Sequence, residues 1–189
     1  VTMKAYLQQV EDVARVYGRN VSISQEGQNT AFEETNVFFT DSAFTKMFTL
    51  EFVKGNPARA LHDKYTVLIN EEMATKYFGG KDPIGESLTF SGRAEFKVTG
   101  VVKNFPENSH LRFNMLATYD DMYELEDAQT EAVLRRNFEQ NFVISHSYTY
   151  VLLKPGEDPS SINDKMDDFV KKYALPSRQI GQKFTLMSL

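Results

Sequence analysis

The stretch from residue 66 to residue 116 reads TVLINEEMATKYFGGKDPIGESLTFSGRAEFKVTGVVKNFPENSHLRFNML. An apolar run at residues 67–69 predicts a buried strand, and a second strand pattern ends at residues 98–101. A short helical pattern that ends at Gly79 lies between them. Short strands that alternate with a helix are typical of a fold that mixes α and β structure.

The helix predicted over residues 71–78 has both a start signal and a stop signal. Asn70 is suited to cap its N-terminus, and Glu71 and Glu72 fall in the first turn, where the helix dipole favours negative charge. Gly79 can adopt the left-handed conformation that ends many helices. The sequence therefore predicts the position of this helix from local signals alone.

The residues Asp82-Pro83-Ile84-Gly85 predict a structural turn. Proline presets φ for a turn, glycine accepts a positive φ, and Ile84 is expected to anchor the turn to the core. On this interpretation Ile84→Asp destabilises the fold by a few kcal/mol, since it removes apolar burial and adds an unpaired charge, whereas Lys81→Ala is nearly silent.

Toward the N-terminus, apolar residues recur at three- and four-residue intervals between residues 3 and 17. This spacing predicts an amphipathic helix over residues 3–17 that ends at Gly18. Period-two alternation then predicts a strand over residues 21–25, and an aromatic, β-branched run predicts another over residues 32–40. A turn signal at residues 27–29 indicates that these two strands form a hairpin.

Toward the C-terminus the patterns alternate between strand and helix. They predict a strand over residues 113–117, a mostly polar helical region over residues 120–136, and a strand over residues 147–153 that is covered on both faces. A last helix with one apolar stripe is expected to begin at Asp158-Pro159, and residues 183–187 predict a final strand. The element order corresponds to an α+β fold with an insertion.

Composition restricts the classes of function. The 189 residues carry a formal net charge of -5, which argues against nucleic-acid binding because that needs clustered lysine and arginine. The chain contains no cysteine, so disulfides, thiolate metal sites and cysteine nucleophiles are excluded. We interpret the chain as an excised domain, because it lacks an initiator methionine, and we expect Val1 and Leu189 to lie at the same end of the fold.

Two short motifs invite a catalytic interpretation that their context does not support. Residues 79–81 contain the two glycines and the lysine of a phosphate-binding loop, but Asp82 replaces the required hydroxyl residue and the glycines follow a helix instead of opening one. Ser109 and His110 are adjacent, and adjacent side chains rarely point at each other. We interpret the first motif as a helix C-cap and the second as a turn that caps the next strand.

Other chemically interesting side chains also have structural interpretations. The three histidines have no metal-binding spacing: His62, His110 and His146. Three adjacent carboxylate pairs are predicted to be solvated on or beside helix surfaces: Glu71-Glu72, Asp120-Asp121 and Asp167-Asp168. Four phenylalanines are predicted to belong to the core rather than to line a ligand cavity: Phe38, Phe39, Phe44 and Phe48. We therefore predict no catalytic residue, no cofactor-binding residue and no metal site.

A series of short sequence motifs occurs in a fixed order along the chain. They are Asp41, Phe44, Phe48, residues 55–57, 60–61, 67–71, Ala74, residues 77–79, 82–85, 98–101 and 108–111. Taken together, they resemble the extracytoplasmic, periplasmic core domain of MacB-type, FtsX-like ABC transporter permeases. The resemblance runs through most of the chain and is strongest from residue 41 to residue 113. Ala43 and Ser188 depart from the family pattern, which has phenylalanine and proline there.

The resemblance implies a two-lobed architecture. A split, porter-type α/β lobe would be formed by residues 1–41 and 113–189, and a small strand-rich α/β lobe would be inserted at residues 42–112. It also implies a non-catalytic domain, without cofactors, of a permease in the inner membrane that faces the periplasm. Such a domain would couple cytoplasmic ATP hydrolysis to movement outside the membrane for efflux or export, which is mechanotransmission.

The resemblance also implies partners. These are the flanking transmembrane helices, a cytoplasmic ABC ATPase, a second permease copy in a dimer and, where one exists, a periplasmic adaptor or outer-membrane component. Two alternatives from other classes remain open at this point. A ligand-sensing domain should have a closed pocket with several converging polar groups, and a hydrolase should place a perturbed carboxylate or histidine in a cleft.

Overall fold

The computed structural model describes residues 2–28, 30–106, 108–140, 146–173 and 185–188. Its helices are α1 (Thr2–Tyr6), α2 (Phe44–Met47), α3 (Glu71–Phe78), α4 (Ala128–Gln140) and α5 (Pro159–Tyr173), with 3₁₀ helices at Pro57–Arg59 and Tyr119–Leu125. Its strands are β1 (Val10–Gln25), β2 (Ala31–Thr40), β3 (Phe52–Gly55), β4 (Thr66–Asn70), β5 (Ser87–Phe90), β6 (Ala94–Val102), β7 (Met115–Thr118) and β8 (Tyr148–Leu153). The predicted mixture of a sheet with several helices is confirmed.

The prediction of a helix over residues 3–17 is wrong. Only α1 is helical, and the 16-residue strand β1 begins at Val10 and continues through Gly18. Gly18 does not end a helix, because it lies within β1, and a Cβ there would be only 2.8 Å from the Phe38 ring. Apolar residues spaced by three or four fit one face of a helix, but β-branched residues in β1 also suit a strand, and pairing with distant strands decides between them.

The strands form one eight-stranded sheet, six members of which close into a circuit. β1 pairs with β2, β2 with β7, β7 with β4, β4 with β6, β6 with β5, and β5 with β1. β8 is joined to the first half of β1, and β3 is joined to the end of β6. The predicted hairpin is confirmed as β1–β2, whose register pairs Val16 with Thr40 and Ser24 with Ala31.

The predicted boundary between residues 42–112 and the rest of the chain runs through this sheet. β4 of the predicted insert pairs with β7 outside it, and β5 pairs with β1. Backbone hydrogen bonds therefore link the two parts at both places. The division into two lobes stays a prediction.

Strand alternation distributes the core over both faces of the sheet. In β4, Val67 and Ile69 belong to the largest buried cluster, whereas Leu68 between them belongs to a second cluster on the opposite face. A third cluster, which includes Leu7 and Phe169, packs α1 and α5 against β1 and β8. The helices thus cover apolar faces that the sheet alone leaves exposed.

The two predicted helices with strong capping signals are confirmed. Asn70 Oδ1 accepts a hydrogen bond of 2.8 Å from the Met73 N–H at the start of α3, and Gly79 has a positive φ of 58° at its end. Asp158 accepts a hydrogen bond of 2.9 Å from the Ser160 N–H at the start of α5. None of the helices in the described residues is long and apolar enough to cross a membrane.

The C-terminal predictions have mixed outcomes. β8 is present, but it is not covered on both faces, because Tyr148 is 73% exposed and the remaining residues are exposed or half-buried. Residues 185–188 have no strand structure, so the predicted last strand is wrong there, and its residues 183–184 lie outside the described residues. Val1 and Leu189 also lie outside them, so their relative position stays a prediction.

The turn after α3 is shifted by one residue from the predicted position. The Glu86 N–H donates to the Pro83 carbonyl at 3.1 Å, so Ile84 and Gly85 are the central residues, and Gly85 has a φ of 89°. Pro83 is buried, whereas Ile84 is 38% exposed. The expectation that Ile84 anchors the turn is therefore wrong, and the proline ring fills that place.

We accordingly expect Ile84→Asp to change the free energy of unfolding by only about 0.5 kcal/mol, because the new carboxylate remains hydrated. The matched variant Pro83→Asp should cost about 2 kcal/mol or more, since it buries a charge in an apolar site. Urea denaturation of both variants measures the difference. A larger loss for Ile84→Asp than for Pro83→Asp would contradict the observed orientation of the turn.

Candidate functional site

A groove of about 490 Å³ runs along the outer part of β8. β8 supplies one wall, the end of α2 supplies Met47 and Phe48, and residues 185–188 supply the opposite side. Phe48 is positioned by ring contacts with Phe44 at 4.5 Å and with Tyr150 at 5.0 Å. The groove therefore lies between the strand β8, which pairs with β1, and the residues around the end of α2.

The chemistry of this groove is mainly apolar. His110 is its one histidine, 6.4 Å from the Tyr150 ring, and burial raises the pKa of Tyr150, which keeps that phenol neutral. A ligand-sensing site should instead bring several polar groups together around one position. The groove does not provide such a set among the described residues, so the ligand-sensing alternative is not favoured.

The strongest polar cluster lies where β1 and β2 meet. Arg15 donates to Asp41 through Nε at 2.9 Å and Nη2 at 2.7 Å, and its backbone N–H donates to the same carboxylate at 2.9 Å. The guanidinium also lies 3.7 Å from the centre of the Tyr119 ring. Burial alone would lower the pKa of Arg15, but the hydrogen bonds to Asp41 raise it above its usual value. The ion pair joins β1, and the residue that follows β2, to the 3₁₀ helix Tyr119–Leu125.

A serine and a histidine do come together, but they are Ser147 and His146 rather than Ser109 and His110, which the sequence predicts to form part of a turn. His146 Nδ1 lies 2.5 Å from Ser147 Oγ, which is in turn 3.3 Å from the Tyr119 hydroxyl. Burial lowers the pKa of His146, and its ring stacks on Phe138 at 3.7 Å. Ser109 instead accepts a hydrogen bond of 3.3 Å from the Leu111 N–H, as expected of a turn. His146 therefore packs against the Phe138 ring and has a polar contact with Ser147, which is a structural role.

The remaining sequence candidates are mostly placed as expected. Gly79 N–H donates to the Thr75 carbonyl at 2.9 Å, which is the geometry of a helix end rather than of a phosphate loop. Glu71, Glu72, Asp167 and Asp168 are exposed. Within the described ranges, no group of three or more metal-ligating side chains could hold a metal ion. The prediction of no catalytic, cofactor or metal residue stays a prediction.

Asp121 is an exception to the prediction that the carboxylate pairs are solvated. It is only 1% exposed, whereas its neighbour Asp120 is exposed. Burial raises the pKa of Asp121, the opposite of what a solvated surface carboxyl shows. The sequence interpretation is wrong for this residue because the 3₁₀ helix turns it toward the strand layer rather than toward solvent.

The four phenylalanines belong to packed clusters. Phe39 and Phe44 are 0% and 1% exposed, and Phe38 and Phe48 are half-buried against the second cluster. Phe48 additionally lines the groove beside β8. The preference for a core role is therefore supported for these side chains, with Phe48 shared between the core and the groove.

The two polar features that sequence reasoning missed are Arg15–Asp41 and Asp121. Arg15 lies within residues 3–17, where the sequence predicts a helix that does not form, so the sequence does not indicate Asp41 as its partner. The signal in the sequence that indicates a strand here is the alternation that places Ala14 and Val16 on the inward face of β1. Nothing in the sequence around Asp121 distinguishes it from a surface carboxylate.

Comparison with known proteins gives a consistent result. Residues 2–169 match the family model of the MacB-like periplasmic core domain. A domain of a permease protein from Porphyromonas gingivalis aligns with a TM-score of 0.68 at 24% identity. The alignment covers 92% of this chain and 69% of the Porphyromonas chain. The periplasmic region of MacB from Actinobacillus actinomycetemcomitans aligns with a TM-score of 0.59 at 14% identity. That alignment covers 90% of this chain and 70% of the MacB chain. These two likenesses show the fold alone, and no curated protein matched the sequence.

Proposed function

Because the chain belongs to the MacB-like periplasmic core domain family and is the periplasmic domain of a MacB-like ABC transporter permease, we propose that it is a non-catalytic mechanical element. It transmits movement of the membrane helices, driven by ATP hydrolysis in the cytoplasm, to the periplasmic side. The movement serves efflux or export by mechanical transmission, without passage of the substrate through the membrane.

The closed circuit of strands is the observation that carries this proposal. Each of its six strands is hydrogen-bonded on both sides, so that sliding one strand breaks backbone hydrogen bonds at two neighbours. The ion pair of Arg15 with Asp41 and the burial of all three apolar clusters fix helices to this sheet. A body of this kind moves as a unit when it is pulled at one end.

The proposal also specifies place and partners. The parent permease lies in the inner membrane with this domain facing the periplasm, and its flanking transmembrane helices are attached to this domain. A cytoplasmic ABC ATPase supplies the driving force, and a second permease copy forms the dimer against which the domain moves. Where one exists, a periplasmic adaptor or an outer-membrane component is a further partner.

Distance measurements in the full permease, assembled with its ATPase in lipid, test the proposal. The chain has no cysteine, so single cysteines at the exposed positions Val53 and Val133 can carry spin labels in an otherwise cysteine-free permease. We expect the distance between the Val133 labels of two copies to differ between the ATP-bound and ADP-bound states. We expect the distance between Val53 and Val133 labels within one copy to stay constant.

Each outcome has a defined meaning. Identical distances between copies in both nucleotide states, while the ATPase remains active, would contradict mechanotransmission. A change within one copy would show that residues 42–112 move relative to the remainder, which would support a two-lobed division and contradict movement as one body. An ATPase variant that cannot hydrolyse ATP serves as the matched control, since it should abolish cycling between the two distances.

A further inference from the structure

Asp121 is the more deeply buried of the two buried carboxyl residues in the described part of the chain, at 1% exposure against 4% for Glu34. Its Oδ2 accepts a hydrogen bond of 2.6 Å from the Tyr65 N–H and another from the Thr118 hydroxyl. Its Oδ1 is buried and has no hydrogen-bond partner among the described residues. Glu34, by contrast, lies 2.6 Å from the Lys76 ammonium. Asp121 thus carries the unusual combination of deep burial and an unsatisfied oxygen.

The charged groups around Asp121 do not neutralise it. The Lys64 ammonium is paired with Glu124 at 3.1 Å, and Arg135 is paired with Glu131 at 2.8 Å. Burial raises the pKa of Asp121 and the negative charge of Asp120 raises it further, whereas Thr118 and Lys64 lower it by less. An ionised carboxylate at this position is therefore costly, since it is desolvated without a directly paired cation.

The main group that Asp121 holds is a residue in a strained conformation. Tyr65, immediately before β4, has a φ of +53°, which is uncommon for a side chain of this size. Its hydroxyl donates to Glu124, its N–H donates to Asp121, and its carbonyl accepts from the Lys97 N–H at 2.8 Å. Two carboxyl groups of one 3₁₀ helix thus fasten the start of β4 in place.

We propose that Asp121 is a proton-dependent latch between Tyr65 and the 3₁₀ helix Tyr119–Leu125, held more firmly when its carboxyl group is protonated and more loosely when it is ionised. Opening hydrates the carboxylate and releases Tyr65 from its left-handed conformation. The geometry supplies the reason, because the second oxygen, Oδ1, is buried with no hydrogen-bond partner among the described residues, so the charge of the ionised form is desolvated there. The two hydrogen bonds to Oδ2 favour the ionised form, but they do not offset this burial. The latch links residues of the predicted insert to the segment that follows β7.

The direction of the pH dependence follows from linkage. A carboxyl whose pKa is raised in the folded state contributes stability that is fully present below its ordinary value of 3.8 and is lost as pH rises through the raised value. The latch therefore loosens from acidic toward neutral pH. This direction is opposite to that of a carboxylate held by a salt bridge, which loosens as pH falls.

Hydrogen exchange of the Tyr65 amide in the 189-residue chain measures the latch directly. After correction for the intrinsic exchange rate, we expect its protection factor to fall severalfold as the pH rises through the titration of Asp121, followed by the NMR shift of the carboxyl carbon. In Asp121→Asn the protection factor should not depend on pH over the same range. Asp63→Asn, at an exposed carboxylate of the neighbouring loop, should keep the wild-type profile.

Two results would overturn the proposal. One is a Tyr65 protection factor in the wild-type chain that does not change, or that rises, through the Asp121 titration. The other is an Asp121 carboxyl that titrates at or below the ordinary range of aspartate. Both measurements use the unaltered chain, so they decide the question even if Asp121→Asn fails to fold. The latch is also independent of the proposed movement in transport.

Discussion

We expect Gly55→Ala to lower the free energy of unfolding by about 3 kcal/mol or more. Gly55 ends β3 with a φ of +93°, and a Cβ there would lie 2.4 Å from the Thr99 carbonyl oxygen and 2.7 Å from Gly100 Cα. These are backbone atoms of the paired strand β6, so neither can rotate away as a side chain would. Equilibrium unfolding in urea measures the loss.

Gly27→Ala is the matched control for this variant. Gly27 also has a positive φ, +74°, but no atom lies within 4 Å of the position that its Cβ would take. The control therefore reports the cost of the backbone conformation alone, about 1 kcal/mol. Equal losses for the two variants would show that the close approach of β3 to β6 contributes nothing, contrary to the distances above.

Phe39→Ala is expected to cost about 3–5 kcal/mol, because it removes a large side chain from the centre of the main core and leaves a cavity. Phe39 is 0% exposed and lies in β2, one of the strands of the closed circuit. Its neighbours in the cluster come from several strands, so they cannot collapse into the space without disturbing strand pairing. Thermal and urea unfolding should both register the loss.

Phe32→Ala provides the comparison within the same strand. Phe32 is 44% exposed and contacts the Tyr77 ring at 6.2 Å and the Lys76 ammonium at 4.9 Å. Losing these contacts should cost only about 1 kcal/mol. A loss as large as that of Phe39→Ala would mean that the outer end of β2 contributes as much to stability as its buried end, which the burial of the two side chains does not allow.

Elements whose signals are local were predictable. α3 follows from the cap at Asn70 and the glycine at its end, and α5 follows from Asp158-Pro159 and its apolar stripe. In both cases the residues that start and stop the helix lie within a few positions of it. Such interactions form in the same way whatever the rest of the chain does.

The N-terminal prediction failed because the competing interactions are distant in sequence. Residues 10–17 satisfy helical spacing, yet their backbone groups bond to β8, which begins at Tyr148, and to β2. A helix there would satisfy its own hydrogen bonds and leave the edges of both strands unpaired. Sheet formation therefore overrides a local pattern that is consistent with either structure.

The prediction that Ile84 points into the core failed for a related reason. The sequence contains a proline and a glycine that both suit a turn, but it does not determine which two residues occupy the central positions of the turn. The hydrogen bond from Glu86 to Pro83, together with the bond from Gly85 to the Val98 carbonyl in β6, fixes the register. That register turns the proline inward and the isoleucine toward solvent.

The sequence by itself determined the mixed α/β class, the β1–β2 hairpin, the capped helices and, through the order of its short motifs, the family of periplasmic permease domains. Only the tertiary structure decided that β1 is a strand, that Arg15 meets Asp41, and that Asp121 is buried while Asp120 is exposed. The physical reason is how far apart in the sequence the interacting residues lie. Caps and turns are satisfied by neighbouring residues, whereas strand pairing and the burial of a charge depend on groups that only the folded chain brings together.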